Sequence, residues 1–337
     1  MNQTTGDAAP AGAAGDGIDP DIRRFVATVN ADYARLTGGR ELPVTEMRAV
    51  AEQVRAPWRR GGPPMRETTE HVLETERGPV RVRVYDPGVE ARPAPALVYM
   101  HGGGWTLFSL DTHDRVMREY AARAGVLVVG VDYALSPEAR YPVALEQVVA
   151  VVRWLHAHGA TLGIDASRLA LGGDSAGGNL SICAALALRE AGARDAVQGL
   201  LLIYPAFDRH CSPESLRRYG GPGAVLTAEE VGYFWDNYTG GRDVRDDPLA
   251  MPRRARLEGL PAVCMTIPAC DVLTEQSHAM AERLRAAGVE VAFHVYPGAT
   301  HSFIEALAIA PLAERAVEDG ARWLRARLHG ASSAAAG

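Results

Sequence analysis

The stretch Leu169-Ala170-Leu171-Gly172-Gly173-Asp174-Ser175-Ala176-Gly177-Gly178-Asn179 passes from an apolar, strand-like run into a helix-like segment that continues to Glu190. Its centre, Gly173 to Gly177, is a G-x-S-x-G pentapeptide. A serine hydroxyl is a poor nucleophile unless the backbone holds it out toward a base, and a sharp strand-to-helix turn does this. The turn is so tight that its flanking positions favour glycine. A glycine-rich βα loop containing a serine by chance would spell the same five letters. The strand before it and the helix after it set this one apart.

A second motif supplies what such a serine needs. His101-Gly102-Gly103-Gly104-Trp105 follows the apolar run Ala96 to Met100. Attack on an acyl carbon puts negative charge on the carbonyl oxygen, which backbone N–H groups fixed in advance can stabilise. Glycines let a loop bring those amides close without side-chain obstruction. Gly103 and Gly104 are assigned as oxyanion donors, with the Ala176 N–H as the third. Gly102 allows the turn, and His101 anchors the loop rather than acting as a base. A phosphate-cradling loop is the alternative. However, no G-x-x-x-x-G-K-[ST] occurs, and no G-x-G-x-x-G opens a helix after the first strand.

A base and an acid must follow Ser175 in the order Ser, Asp or Glu, His. The later histidines are His210, His278, His294, His301 and His329. His210 precedes most of the later strands, His278 falls within a helical pattern, His294 lies inside an alternating strand, and His329 is near the C-terminus. His301, in the loop Pro297 to Phe303 after the last strand, is best placed, since ligand sites of open α/β sheets lie at the carboxyl ends of strands. Asp208 and Asp271 both follow strands. Asp271 is preferred because Asp271 to Glu275 then opens a helix, for which Asp271 could also serve as N-cap.

Several stretches then combine into one resemblance. They are His101 to Trp105 with Asp111-Thr112-His113-Asp114, Asp132 to Glu138 with Tyr141-Pro142, Gly173 to Asn179, Leu260 to Ala262, Asp271 to Leu273, and His301 to Phe303. Spread in order over roughly residues 40–328, they resemble the hormone-sensitive-lipase-like family of α/β-hydrolases, the bacterial family IV carboxylesterases. The resemblance implies an α/β-hydrolase fold with Ser175 as nucleophile, His301 as base and Asp271 as acid. It also implies Gly103, Gly104 and Ala176 as the oxyanion hole, and ester substrates with short or medium acyl chains. No cofactor or metal is expected. Three positions depart from the family pattern: Val272 stands where proline is usual, Glu275-Gln276 where Asp-Glu is usual, and Ser302 where glycine is usual. Two rival readings use the same fold. One is an amide or N-acetyl hydrolase with the same triad. The other is a non-catalytic small-ligand receptor, against which the presence of all three triad residues argues.

Composition bounds the rest. With 337 residues, 47% of them hydrophobic, the chain suits one large α/β domain with a small accessory region. A net charge of −6 and dispersed basic residues exclude nucleic acid and anionic membranes as expected partners. No run approaches the ~18 apolar residues of a membrane span. Residues 1–17 lack the basic and apolar regions of a signal peptide and are expected to be disordered, as are residues 331–337. Cys183, Cys211, Cys264 and Cys270 form no C-x-x-C pair, so free thiols and a cytoplasmic location are expected. A homodimer through the last strand and helix is expected from the family alone.

Strand-like runs alternate with helical patterns such as Pro142 to His158 and Ser277 to Ala287, giving a mostly parallel eight-stranded sheet flanked by helices. His71–Glu76 and Val80–Tyr85 are close enough for an antiparallel hairpin. The hydrolase domain is assigned to 61–205 and 249–330. Two segments outside this rhythm, 18–60 and 206–248, are read together as a helical cap over Ser175. Trp105, Tyr219 and Phe234 are candidates to line a substrate pocket. Asp111 to Asp114, Glu138 and Asp174 are read as loop supports, and Asn179 as part of a first helical turn. His156-Ala157-His158 is read as a solvated helix end.

Overall fold

The computed structural model describes residues 17–330. The ends expected to be disordered lie outside the described residues, apart from Gly17.

The apolar runs assemble into one eight-stranded sheet. Its strands are β1 (Glu67–Thr75), β2 (Gly78–Asp86), β3 (Ala94–Met100), β4 (Leu127–Val131), β5 (Ile164–Asp174), β6 (Gly199–Ile203), β7 (Ala262–Cys270) and β8 (Val291–Thr300). They lie in the order β1-β2-β4-β3-β5-β6-β7-β8. The expected hairpin is present: β1 and β2 pair antiparallel with Thr75 opposite Gly78, and β2 is also antiparallel to β4. All other pairs are parallel. Every residue of β3, β4 and β6 is buried, as expected for strands covered on both faces.

The helices are α1 (Pro20–Thr37), α2 (Val44–Arg55), α3 (Asp114–Ala124), α4 (Val143–His158), α5 (Ala176–Glu190), α6 (Pro213–Tyr219), α7 (Ala228–Thr239), α8 (Thr274–Ala286) and α9 (Pro311–His329). They cover the sheet as two apolar layers. One contains side chains of α4, α5, α7 and α8; the other contains those of α3 and α9 together with α1 and α2. The first helices are therefore continuous with a core: Ile22, Phe25, Val29, Val50 and Val54 join it. Local chemistry fixes their ends. Asp19 caps α1 by accepting the N–H groups of Asp21 and Ile22, and Gly38, at φ 63°, ends it. Thr227 and Glu230 form a capping box on α7.

Register brings the motifs together. Met100 pairs with Gly173, Asp174 with Ile203, Ile203 with Thr266, and Cys270 with Thr300. The residues that follow these positions emerge side by side at the carboxyl edge of the sheet. In the sequence, the apolar run Ala262 to Ile267 and the alternating run up to Tyr296 suggest that the last two strands end at Ile267 and Tyr296. Both run further, past a register shift between Pro268 and Cys270, because each is the other's partner. The loop expected to carry His301 is thus half strand. Asp271 does not cap α8: Leu273 occupies that position, and the Asp271 carboxylate accepts the Leu273 N–H at 3.3 Å.

Candidate active site

Ser175 sits between the end of β5 and the start of α5 at φ 52° and ψ −113°, a conformation unfavourable for a side-chain-bearing residue. Neighbouring backbone holds it there: the Ser175 N–H donates to the Ile203 carbonyl at 2.9 Å, and the Ala206 N–H donates to the Ser175 carbonyl at 3.2 Å. A Cβ at Gly177 would collide with the Met100 carbonyl, so glycine is required there by close approach.

Three side chains from three strand ends meet at this turn. The Ser175 hydroxyl donates to His301 Nε2 at 3.0 Å, and His301 Nδ1–H donates to Asp271 Oδ2 at 2.8 Å. Asp271 and His301 are 2% and 7% exposed. Burial alone lowers the basicity of His301, but the Asp271 charge and hydrogen bond, with Asp174 and Glu305 beyond, outweigh it and raise the imidazole above its ordinary value. His210, in contrast, pairs with Asp208 at 3.1 Å and lies exposed. Arg253 also holds Asp208, at 2.8 Å.

The glycine loop after β3 lies across from the serine. The N–H groups of Gly103, Gly104 and Ala176 donate to no acceptor among the described residues, which leaves three donors free near Ser175. Gly103 adopts φ 103°, and a Cβ there would press on the Leu107 carbonyl. His101 is fully enclosed and donates from Nδ1 to the Gly102 carbonyl at 2.7 Å. Burial, then the charge of His113, push it down to about 3, so it stays neutral.

Asp174, beside the serine, ties this loop down. It accepts the Tyr99 hydroxyl at 2.7 Å and the Gly102 N–H at 3.0 Å, and pairs with His113 Nε2 at 3.3 Å. His113 is in turn 2.9 Å from Thr112 Oγ1, which accepts the Ser109 N–H at 3.1 Å. Glu138 acts through Arg48 of α2, which also donates to the Thr106 and Ser136 carbonyls at 2.8 Å. Asn179 does more than join a helical turn. Its buried amide donates to the carbonyls of Ala206 and Ala250 at 2.8 and 3.0 Å, fastening α5 to the segment after β6. The departure at Gln276 has a similar use: its amide accepts the Phe207 and Asp208 N–H groups and donates to the Asp208 carbonyl, which a glutamate could not do. Ser302 takes a left-handed φ of 61° where the family pattern has glycine.

A cavity of about 730 Å³ opens on Asp271 and His301. Its outer wall comes from α1 and from the segment 218–226. These meet where Asn30 Nδ2 donates to the Gly223 carbonyl at 2.8 Å. Of the three pocket candidates, Tyr219 lines this cavity. Phe234 lies against Gly104 instead, where any Cβ would strike its ring. Trp105 is 1% exposed and stacks on Tyr238 at 4.2 Å, because the turn after Gly104 directs it into the core under α7.

One buried pair escaped the sequence reading. Arg55 Nε of α2 is 2.8 Å from Glu305 Oε2, just past His301, with both side chains 3% exposed. Arg55 also lies over the rings of Phe25 and Phe108, at 5.7 and 5.0 Å from their centroids. The pair is an electrostatic contact rather than a directed hydrogen bond, since Arg55 Nε and Nη1 and both Glu305 carboxylate oxygens have no hydrogen-bond partner among the described residues. Nothing local in the sequence signals it, because its members are 250 residues apart.

Comparison with known proteins agrees with this fold. Residues 97–305 match a family described as an alpha/beta hydrolase fold. The chain is similar to an acetyl esterase of Salmonella paratyphi B, 33% identical over 80% of this chain and 83% of that protein. It is also similar to carboxylesterase NlhH of Mycobacterium tuberculosis, 37% identical over 74% of this chain and 79% of that protein. A solved hyperthermophilic esterase from the archaeon Pyrobaculum calidifontis superposes with a TM-score of 0.85 at 31% identity, covering 92% of this chain and 98% of that one.

Proposed function

Since the chain belongs to the hormone-sensitive-lipase-like carboxylesterases of the α/β-hydrolase superfamily, we propose that it cleaves short- to medium-chain acyl esters through Ser175, His301 and Asp271. It is a carboxylic-ester hydrolase. His301 takes the proton from Ser175 as the hydroxyl attacks the ester carbonyl. Asp271 holds the imidazole in the required tautomer and stabilises its charged form. The N–H groups of Gly103, Gly104 and Ala176 stabilise the oxyanion. The alcohol leaves with the proton from His301, and water then releases the acyl group by the same route.

The observation that carries this assignment is the chain of contacts from Ser175 Oγ through His301 to Asp271, at 3.0 and 2.8 Å. Room for a small substrate is supported by the cavity of about 730 Å³ beneath α1 and residues 218–226, which opens on Asp271 and His301 and is within the ordinary range for small-molecule sites. A relative bearing the name acetyl esterase points the same way. The helical pieces 18–60 and 206–248 act as the cap, as their meeting at Asn30 and Gly223 supports. Among the described residues no helix is long and apolar enough to cross a membrane. The four cysteines are free, which supports a cytoplasmic location. A homodimer would use β8, which ends the sheet with β7 as its neighbour and leaves Val295 39% exposed.

The direct test is hydrolysis of p-nitrophenyl esters from acetate to palmitate by the wild type and by Ser175→Ala. The wild type should peak at short or medium chains and the variant should be inactive. A folded wild type that cleaves none of them would overturn the assignment.

A further inference from the structure

Arg55, the last residue of α2, touches two segments of the candidate site at once. On one side its guanidinium lies over the Phe108 ring, 5.0 Å from the centroid. On the other its Nε is 2.8 Å from Glu305 Oε2. Phe108 belongs to the glycine loop after β3, and its ring edge lies 2.8 Å from where a Cβ on Gly103 would stand. It takes a φ of 71°, which a bulky side chain adopts only where its surroundings enforce it. Glu305 belongs to the turn that follows His301, and its N–H donates to the Ser302 carbonyl at 3.0 Å. Ser302 is itself left-handed, at φ 61°. Two strained turns, one carrying Gly103 and the other His301, thus meet the same arginine. The same helix reaches the glycine loop a second time, where Arg48 Nε donates to the Thr106 carbonyl at 2.8 Å.

A buried ion pair is a poor way to fill a core. Taking both charges out of water is expensive, and apolar side chains of similar volume are often as stable. Packing alone therefore gives no reason for the pair. A guanidinium offers what an aliphatic chain does not: a flat face that stacks on an aromatic ring, and a charge that attracts a carboxylate. We propose that Arg55 and Glu305 are positioning residues: through Phe108 on one side and the turn after His301 on the other, they hold the Gly103 N–H and the His301 imidazole at a fixed separation. The proposal rests on the proposed roles of Ser175, His301 and the Gly103 N–H. In that mechanism the oxyanion and the transferred proton belong to one intermediate, so both turns must meet it together. A drift of about 1 Å between them costs on the order of a hundredfold in rate. The cavity wall includes neither Arg55, Phe108 nor Glu305, so the pair acts on kcat rather than on KM.

The test compares the wild type with Arg55→Met plus Glu305→Leu, a double substitution that removes both charges and keeps similar volume. Each protein is measured in two ways: steady-state hydrolysis of p-nitrophenyl acetate, and amide hydrogen exchange of segments 101–108 and 301–308. Kinetics are read on the alkaline plateau, because Glu305 also helps, against burial and after Asp271 and Asp174, to raise His301. The double variant should lose about ten- to a hundredfold in kcat, with KM within about twofold of the wild type. Exchange in the two segments should accelerate together, while β3 to β6 keep their protection. A pair that only stabilises the fold leaves kcat untouched once both charges are gone. A folded double variant with wild-type kcat therefore overturns the proposal, as does a loss confined to KM or faster exchange in one segment only. If the double variant does not fold, Arg55→Lys is measured instead, since it keeps the charge without the flat face. It should lose kcat severalfold at unchanged KM, with faster exchange of 101–108, and wild-type values would overturn the proposal. A wild type that cleaves no ester would overturn the hydrolase assignment instead, and exchange of the two segments would still decide the bridge.

Discussion

His301 is set by two opposed influences: burial lowers its basicity, and the Asp271 carboxylate at 2.8 Å raises it further than burial lowers it. In the proposed mechanism the neutral imidazole is the base, so activity rises as pH increases through its folded value. That value is above the ordinary 6.5. The acid limb of kcat/KM should therefore lie above 6.5. Asp271→Asn should move it down and lower kcat by about 10⁴, since the amide favours the wrong tautomer. A pH–rate profile of both proteins checks this; a limb that does not move would remove Asp271 from the role. At this scale the sequence was highly legible. The motif around Ser175, the order of the later residues and the family resemblance single out three residues that the structure brings into contact. Trp105 was not legible, because whether an aromatic after a glycine turn faces a pocket or the core depends on α7, more than 120 residues further on.

At the scale of elements, Asp174 joins the end of β5 to the end of β3 and to the start of α3. It binds the Gly102 N–H, the Tyr99 hydroxyl and His113 at once. Burial alone would raise its carboxyl, but the His113 charge and hydrogen bond hold it below the usual range. His113 is raised in turn by Asp174, against its own burial. The signs set a window. The Asp174 contribution is present above its unfolded value of 3.8 and lost as pH falls through the folded value. The His113 contribution is present below 6.5 and lost as pH rises through the folded value. The stability gap between wild type and Asp174→Asn should thus be widest between these limits and shrink on either side. Urea midpoints at pH 3, 5.5 and 9 measure it; a pH-independent gap would reject the ion pair. The sequence identified Asp174 and the Asp111–Asp114 stretch as loop supports, because they flank the two motifs. The partners were beyond reach, since they arise from the Met100–Gly173 register.

Across the whole molecule, the N-terminal helices pack against the segments that carry the candidate site. Arg48 of α2 binds the glycine loop after β3 at the Thr106 carbonyl, and Arg55 meets Glu305 close behind His301. Removing one member of a buried ion pair leaves an uncompensated charge and costs about 3–5 kcal/mol, whereas replacing both by apolar residues of similar volume is often neutral or stabilising. Arg55→Met and Glu305→Leu should each destabilise the protein by about that amount, and the double variant should recover most of the loss. Chemical denaturation of the four proteins tests this, and additive losses would show that the two side chains do not act as a pair.

The fold class, the alternation of strands and helices and the choice of Ser175, Asp271 and His301 as the residues that would meet could all be read from the chain alone, because they follow from local periodicity and from motifs whose spacing the turn chemistry dictates. The sequence also located the two helical segments, as departures from that rhythm. The ends of β7 and β8 depend on long-range pairing, since partner strands outweigh Pro268, Pro297 and Gly298, which suggest earlier stops. Only the tertiary structure decided that Trp105 is core and Tyr219 is cavity, and that Arg55 and Glu305 meet. These depend on contacts between distant segments, whose energies come from burial and register and leave no periodic trace in the chain.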